Sequence, residues 1–284
     1  MRIITNDVLA RLKEGPTLLL LVALCFGGLA KAQITNRFDQ DAEGWIMADL
    51  PFPSGPYTTA LTNYPTTYSA TNGNPGGHIW QLDPMSSRVY YFQAPTNYLG
   101  NRSNYYGGTL NFDVRRQNGS LLNYTDVVLV GGGLTFVIDA GSGPANGVWT
   151  TYTVKLNETG GWKKDLLTGV TPTAAEFAML LGNLSALRIR GEYSTSSVDT
   201  GALDNVILSP PPPLVVSISR LPGHEIQLCW NSDTGRLYQV QYRPDFNTGS
   251  WTNTGSLLLG DGSNYCTALD VTNSAAKYFR VVLP

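Results

Sequence analysis

Residues 110–115 read Leu-Asn-Phe-Asp-Val-Arg, so apolar and polar side chains alternate one by one. Successive side chains of a β-strand point to opposite faces, and this alternation therefore predicts a strand with one buried face and one polar face. Residues 126–130 are apolar after the first position, which predicts a central strand covered on both sides. Further alternating strands are predicted around Val89 and Tyr91, around Leu134, Phe136 and Ile138, and around Tyr152, Val154 and Leu156.

The composition also favours strands and turns over helices. The chain has 30 Gly and 17 Pro residues and only 14% charged residues, which is typical of an all-β protein. One short helix is predicted where Thr173 can serve as N-cap and Glu176 as its capping-box partner. Its apolar positions are Phe177, Leu180, Leu181 and Leu184.

Four consecutive prolines, residues 210–213, predict a stiff spacer because proline cannot join a sheet ladder. We therefore expect a large β-sandwich module at 33–209 and a small one at 214–284. The N-terminal residues 1–32 contain basic residues, a short apolar run and the sequence Ala-Lys-Ala, which predicts a cleaved secretory signal. The mature protein is then expected to begin near Gln33, outside the cytoplasm and without a membrane span.

Cleavage would remove Cys25 and leave Cys229 and Cys266 in an oxidising compartment. These two residues can form one intramolecular disulfide, and two unpaired buried thiols are the alternative.

Charge and motif content argue against several functions. The net charge is −2 and no Lys/Arg cluster is present, so neither nucleic acid nor an anionic membrane surface is an expected partner. The only histidines, His78 and His224, fall in different modules, and no zinc-site or nucleophile motif occurs. No spacing rule pairs the strand-associated acids as a glycosidase would require. We predict that the protein is not an enzyme and requires no cofactor.

An ordered set of segments then points to a family. Residues 91–95 read Tyr-Phe-Gln-Ala-Pro, 98–101 read Tyr-Leu-Gly-Asn, and 187–193 read Leu-Arg-Ile-Arg-Gly-Glu-Tyr. With Leu203-Asp204-Asn205-Val206 near the end, the set resembles the laminin B (laminin IV type A) domain of extracellular matrix proteins. The resemblance implies a jelly-roll sandwich of the galactose-binding-like type and a non-catalytic structural or adhesive role, with cell adhesion in a matrix-like setting.

The small module carries a second resemblance. Trp230, residues 238–242, Trp251 and residues 278–281 resemble a small fibronectin III-like β-sandwich found at the C-terminus of many exported bacterial proteins.

Two kinds of ligand site are expected in the large module. Asp204 alternates in phase with buried positions, so it could join Asp39 and Asp41 in a structural calcium site of the kind that jelly-roll modules carry. The alternative is that Asp204 binds backbone amides in a tight turn.

Tyr57, Tyr64 and Tyr68, in a Thr/Pro/Asn-rich loop, are candidates for stacking on a polysaccharide. The partner is thus expected to be an extracellular protein or a polysaccharide, and the oligomeric state is left open.

Overall fold

The chain folds into two units, residues 32–211 and residues 1–31 with 212–284. The computed structural model describes residues 8–11, 22–25, 32–51, 57, 62–83, 88–122, 124–194, 199–244, 250–270 and 278–283. In chain order the strands are β1 (Val8–Arg11), β2 (Val22–Cys25), β3 (Ile34–Asn36), β4 (Ile46–Pro51), β5 (Thr62–Pro65), β6 (Thr67–Ser69), β7 (His78–Leu82), β8 (Arg88–Gln93), β9 (Thr109–Gln117), β10 (Val127–Gly131), β11 (Leu134–Ile138), β12 (Thr150–Lys155), β13 (Lys163–Lys164), β14 (Leu184–Arg190), β15 (Thr200–Ser209), β16 (Val216–Arg220), β17 (Glu225–Asn231), β18 (Leu237–Arg243), β19 (Thr252–Leu259), β20 (Asn264–Asp270) and β21 (Tyr278–Val282).

The large unit is a sandwich of two antiparallel sheets. One sheet has the strand order β13-β11-β10-β14-β8-β4-β5, and the other has the order β12-β9-β15-β7-β6, with β3 also paired to β15. The main hydrophobic core takes side chains from both sheets, for example Phe92 and Leu129 from the first and Phe112 from the second. The predicted all-β sandwich is confirmed.

The seven-stranded sheet is covered on both faces. In β10, Val127 and Leu129 belong to the main core, while Val128 packs in a second apolar cluster with Val89 and Tyr91 of β8. The prediction of a central strand at 126–130 that is buried on both sides is confirmed. By contrast, β9 of the six-stranded sheet buries its apolar face and leaves Asn111 and Arg115 half-exposed on the other.

The helix α1 (Ala174–Gly182) lies where the sequence predicts it. The Oγ1 atom of Thr173 accepts the backbone N–H of Glu176, and the Glu176 carboxylate accepts the backbone N–H of Thr173, which completes the capping box. Phe177 points into the main core and contacts the rings of Phe136 and Trp162. Leu184 is the exception, because the helix ends at Gly182 and Leu184 begins β14. Three short 3-10 helices occupy Thr96–Tyr98, Ser103–Tyr105 and Glu158–Gly160.

The smaller unit has one sheet of order β16-β17-β20 and one of order β19-β18-β21-β1-β2. Its core gathers Leu228, Trp230, Val240 and Val281, among others. Strands β1 and β2 pair with each other, and β1 also pairs with β21, although this segment is the predicted signal. Within the predicted cleavage sequence, Ala30 and Lys31 lie outside the described residues.

Cys229 and Cys266 lie directly opposite each other on β17 and β20, with their Cα atoms 4.1 Å apart, and their sulfur atoms form a disulfide. The disulfide joins residues 37 positions apart and ties the two neighbouring strands together.

We predict that the Cys229→Ser/Cys266→Ser double variant loses about 2–4 kcal/mol of unfolding free energy in the smaller unit, because the open chain gains conformational freedom when unfolded. Urea unfolding of the exported protein measures this loss. Reduction of the unmutated protein should produce the same change, and thiol titration without reductant should find no free sulfhydryl. One reactive thiol pair in the unfolded, unreduced protein would contradict the disulfide.

Candidate functional site

The three tyrosines expected to stack on a polysaccharide do not share an exposed surface. Tyr57 is only 4% exposed, and its ring contacts Tyr91 edge-on, with the ring centroids 6.3 Å apart. Tyr64 lies on β5 and Tyr68 on β6, in different sheets, and both are half-buried against the main core. The expected exposed row is therefore not formed, because the three side chains are buried or partly buried by packing against the apolar clusters.

Calcium binding by Asp39, Asp41 and Asp204 stays a prediction. Among the described residues, no three His, Cys, Asp or Glu side chains form a group able to hold a metal ion. Asp204 is fully buried, and its two carboxylate oxygens accept the backbone N–H groups of Asn74, at 2.5 Å, and Asn205, at 2.6 Å. Asp41 accepts the backbone N–H of Glu43. The geometry at Asp204 matches the alternative interpretation, a carboxylate that binds backbone amides.

Around Asp204, a polar network fixes the loop at 70–77 to the six-stranded sheet. The Asp113 Oδ2 atom accepts side-chain N–H groups from Asn74, at 3.0 Å, and Asn205, at 2.8 Å. Its Oδ1 atom accepts the hydroxyl of Thr151 at 2.6 Å. Burial above all, with the nearby charges of Asp113 and Asp39, raises the pKa of Asp204 to about 6, although the hydrogen bonds from the two amides lower it.

The outward face of the six-stranded sheet brings together aromatic and cationic side chains that are far apart in the sequence. Backbone pairing places Trp80 of β7 opposite Ala202 of β15, and Ala202 opposite Arg115 of β9. Trp149 precedes β12 and lies beside Arg115. We call Trp80, Ala202, Arg115 and Trp149 the Trp-Arg row. Trp80, Arg115 and Trp149 are each partly buried.

Arg115 is held in place by its neighbours. Its Cζ atom lies 4.6 Å from the centre of the Trp149 ring, and its Nη1 atom donates to the carbonyl oxygen of Asn72 at 3.1 Å. The indole N–H of Trp149 donates to the same carbonyl oxygen. His78 contacts Trp149 edge-on, and burial followed by the charge of Arg115 lowers its pKa, so His78 is neutral at pH 7. Within the described part of the chain, no carboxylate forms an ion pair with Arg115.

A second charged cluster is buried and has a structural role. Arg190 is fully buried, its Nη2 atom lies 2.9 Å from the Asp126 carboxylate, and its Cζ atom lies 3.9 Å from the centre of the Tyr193 ring. Burial raises the pKa of Asp126 to about 6, while the Arg190 charge opposes that rise. This ion pair joins β14 to the residue that precedes β10, and it faces no open surface.

Three further acids lie near one another where β7, β14 and β15 meet their loops. Burial raises the pKa of Glu192 to about 8, and the charges of Asp83 and Asp199 add to that rise. Burial likewise raises the pKa of Asp199 to about 7, again with a contribution from Asp83. The positive charge of Arg190 lowers the pKa of Glu192, and that of Arg116 lowers the pKa of Asp199, but neither offsets the rise. At neutral pH, Glu192 is therefore largely protonated in the folded protein.

The Trp-Arg row was not predicted from the sequence. The alternation at residues 110–115 does place Arg115 on the polar face, but it does not say which strands lie beside it. The neighbours Trp80 and Trp149 follow only from the register of β15 with β7 and of β9 with β12.

Comparison with known proteins agrees with the fold. Residues 91–210 match the family described as Laminin B (Domain IV). Human laminin subunit gamma-2 is 30% identical over 226 residues, which cover 72% of this chain and 16% of that protein. Laminin subunit gamma-1 of Danio rerio is 32% identical over 188 residues, or 64% of this chain and 10% of that protein. This chain thus spans only a small part of the length of these relatives.

A solved structure, the L4b domain of human laminin alpha-2, superimposes with a TM-score of 0.50 at 14% sequence identity. The match covers 64% of this chain and 99% of that domain. At this identity the likeness concerns the fold alone, and the family match lies within the large unit. No helix among the described residues is long and apolar enough to cross a membrane.

The raised pKa of Glu192 predicts a specific pH dependence of stability. Between pH 4.5 and 8 the carboxyl ionises readily in the unfolded chain but resists ionisation in the folded unit, so unfolding releases a proton and stability falls as pH rises. We predict that Glu192→Gln raises the melting temperature at pH 8 by about 2–4 °C or more and has little effect at pH 4.5. Calorimetry at the two pH values measures the difference, with Asp165→Asn, an exposed position of the same unit, as the control. An equal effect at both pH values would contradict the prediction.

Proposed function

We propose that this protein is an exported, non-catalytic module of laminin B type that acts outside the cell by binding, in a structural or adhesive role. The observation that carries the proposal is the match of residues 91–210 to the Laminin B (Domain IV) family. Those residues run from β8 to the end of β15, so they include strands from both sheets of the large unit. The laminin subunits that share this region give the proposal its extracellular setting.

Two features of the chain support export. The N-terminal 32 residues have the order of basic, apolar and small residues that a secretory signal has. The disulfide between Cys229 and Cys266 is of a kind that persists in oxidising compartments and is rare in the cytosol. The smaller unit, with its two sheets and its own core, is compatible with the fibronectin III-like module expected from the sequence.

The buried ionisable groups favour a structural role over catalysis. Arg190 and Asp126 neutralise each other inside the sandwich, and Asp204 and Asp113 are occupied by the side chains and amides that fix the loop at 70–77. These groups stabilise the fold where they are.

The proposal is tested with the full chain expressed in a secreting host. We expect released protein whose N-terminal sequence begins at Gln33, binding to immobilised extracellular matrix proteins or to a second copy of the chain, and no hydrolysis of polysaccharides. The matched control lacks residues 1–32 and should stay inside the cell. Retention of the full chain in the cytoplasm, or turnover of a glycan substrate, would overturn the proposal.

Calcium binding by Asp39, Asp41 and Asp204 stays a prediction, because Asp204 is already bound by two amides. A bound calcium ion predicts that EGTA lowers the melting temperature of the large unit by about 2–4 °C and that Asp204→Asn removes this sensitivity. Thermal unfolding with CaCl2 and with EGTA measures it. Identical melting temperatures under both conditions would assign Asp204 to the binding of backbone amides alone.

A further inference from the structure

We propose that the outward face of the six-stranded sheet binds an acidic polysaccharide. Sugar rings would stack on Trp80 and Trp149, and a carboxylate or sulfate group of the chain would pair with Arg115. This inference rests on the proposed extracellular role and gives that role a ligand class and a site.

The spacing of the Trp-Arg row suits an extended chain molecule. Neighbouring strands lie about 4.8 Å apart, so the backbones of Trp80 and Arg115, two strands apart, are separated by about 10 Å. Trp149 lies one strand further on. Ala202, the residue between Trp80 and Arg115, is small and only 4% exposed, so the larger side chains on either side form the surface there. A ligand that contacts both indoles must run across the strands.

Trp80 is the clearest sign of a binding surface. It lies on the outward face of β7, because its neighbour Ile79 is fully buried in the main core. Within the described residues its ring has no aromatic or cationic stacking partner, whereas Trp149 has Arg115 and His78. A partly buried indole without a stacking partner offers its remaining apolar π surface to the C–H face of a sugar ring.

Arg115 determines the charge of the ligand. It forms no ion pair with a carboxylate of the described chain, and the neighbouring His78 is neutral at pH 7. Its guanidinium is already oriented by Trp149 and by the Asn72 carbonyl, so little side-chain freedom is lost when an anion binds. A planar guanidinium can form paired, charge-assisted hydrogen bonds with a carboxylate or a sulfate.

The rest of the face favours a polysaccharide over a protein. Thr67, Thr151 and Thr153 are exposed on the same face, and Asn111 is half-exposed there. Hydroxyl and amide groups of this kind can bind sugar hydroxyls, while the centre of a protein interface is usually more apolar. Within the described strands this face carries two cations, Arg115 of β9 and Lys155 of β12, and so few also argue against a nucleic acid, whose binding requires several phosphate contacts.

The test uses the exported full-length protein and two acidic polymers, polygalacturonate for the carboxylate and dextran sulfate for the sulfate. Methyl-esterified polygalacturonate and dextran are their neutral counterparts. We expect saturable binding to at least one acidic polymer by isothermal titration calorimetry, at least about tenfold weaker binding to its neutral counterpart, and lower affinity at high salt.

Variants assign the binding to the face. Arg115→Gln should weaken it by about tenfold or more, through loss of the charge-assisted hydrogen bonds. Trp80→Ala should weaken it by about three- to tenfold, through loss of one stacking surface. Thr67→Glu, which adds a negative charge at an exposed position beside Trp80, should weaken binding even if Arg115→Gln unfolds the loop. The matched control is Trp251→Ala, because Trp251 in the smaller unit also stacks with an arginine, Arg280, at 4.4 Å.

The outcomes separate this inference from the proposed function. No binding to either acidic polymer by the folded protein, or binding that all three face variants leave unchanged, would overturn the polysaccharide site while the extracellular role stands. Loss of binding in Trp251→Ala but not in Trp80→Ala would place the site in the smaller unit and also overturn the inference. Binding of a matrix protein that Trp80→Ala and Arg115→Gln abolish, without polymer binding, would make this face a protein interface.

Discussion

The register between β9 and β15 determines both the interior of the large unit and the chemistry of its surface. Leu203 of β15 lies opposite Val114, and both belong to the main core, whereas Ala202 and Arg115 lie opposite each other on the other face of the sheet. A slip of one residue would bring Asp113 and Arg115 into the core and expose Phe112. The pairing of β15 with β9 is irregular between Asp204 and Ile207. Two hydrogen bonds stabilise it there: the Asp204 carboxylate accepts the Asn74 backbone N–H, and the Asn205 side-chain amide donates to Asp113. Polar contacts at the irregular part of β15 thus hold the apolar part in place.

Both sheets bury charged side chains, and most of these have partners inside the protein. In the seven-stranded sheet, Arg188 and Arg190 of β14 are both buried, and each finds partners: the Tyr57 carbonyl and Gln93 for Arg188, and Asp126 for Arg190. Removal of one such partner is costly, since an isolated buried charge loses its hydration without compensation. For Glu192, the Tyr90 amide and the Arg190 charge do not offset the loss of hydration, so its carboxyl is largely protonated at neutral pH. In the six-stranded sheet, Arg116 of β9 is buried as well and donates to the carbonyl oxygens of Pro144 and Gly119, whereas Arg115 is only partly buried.

Local patterns in the sequence predicted most of the elements, because their causes are local. Alternation identified β9 and β12, the apolar run identified β10, and Thr173 with Glu176 marked the start of α1. Contacts between distant segments were beyond such patterns. The burial of Tyr57 depends on Tyr91 and Arg188, and the position of Leu184 depends on a turn after Gly182 that the helical spacing does not show. The Trp-Arg row depends on the strand order and the register. The sequence pattern therefore does not show that its members are neighbours.

The family match and the Trp-Arg row carry different information. Arg115 and Trp149 fall within residues 91–210, but Trp80 lies on β7, before the matched region begins. The matched strands account for the sandwich through their buried positions, whereas Trp80, Arg115 and Trp149 lie outside the main core. A fold can be shared while the residues on its surface differ, and function then depends on those residues. The ligand of this protein must therefore be sought from the side chains of its outward face, because the fold alone leaves the binding chemistry of that face undetermined.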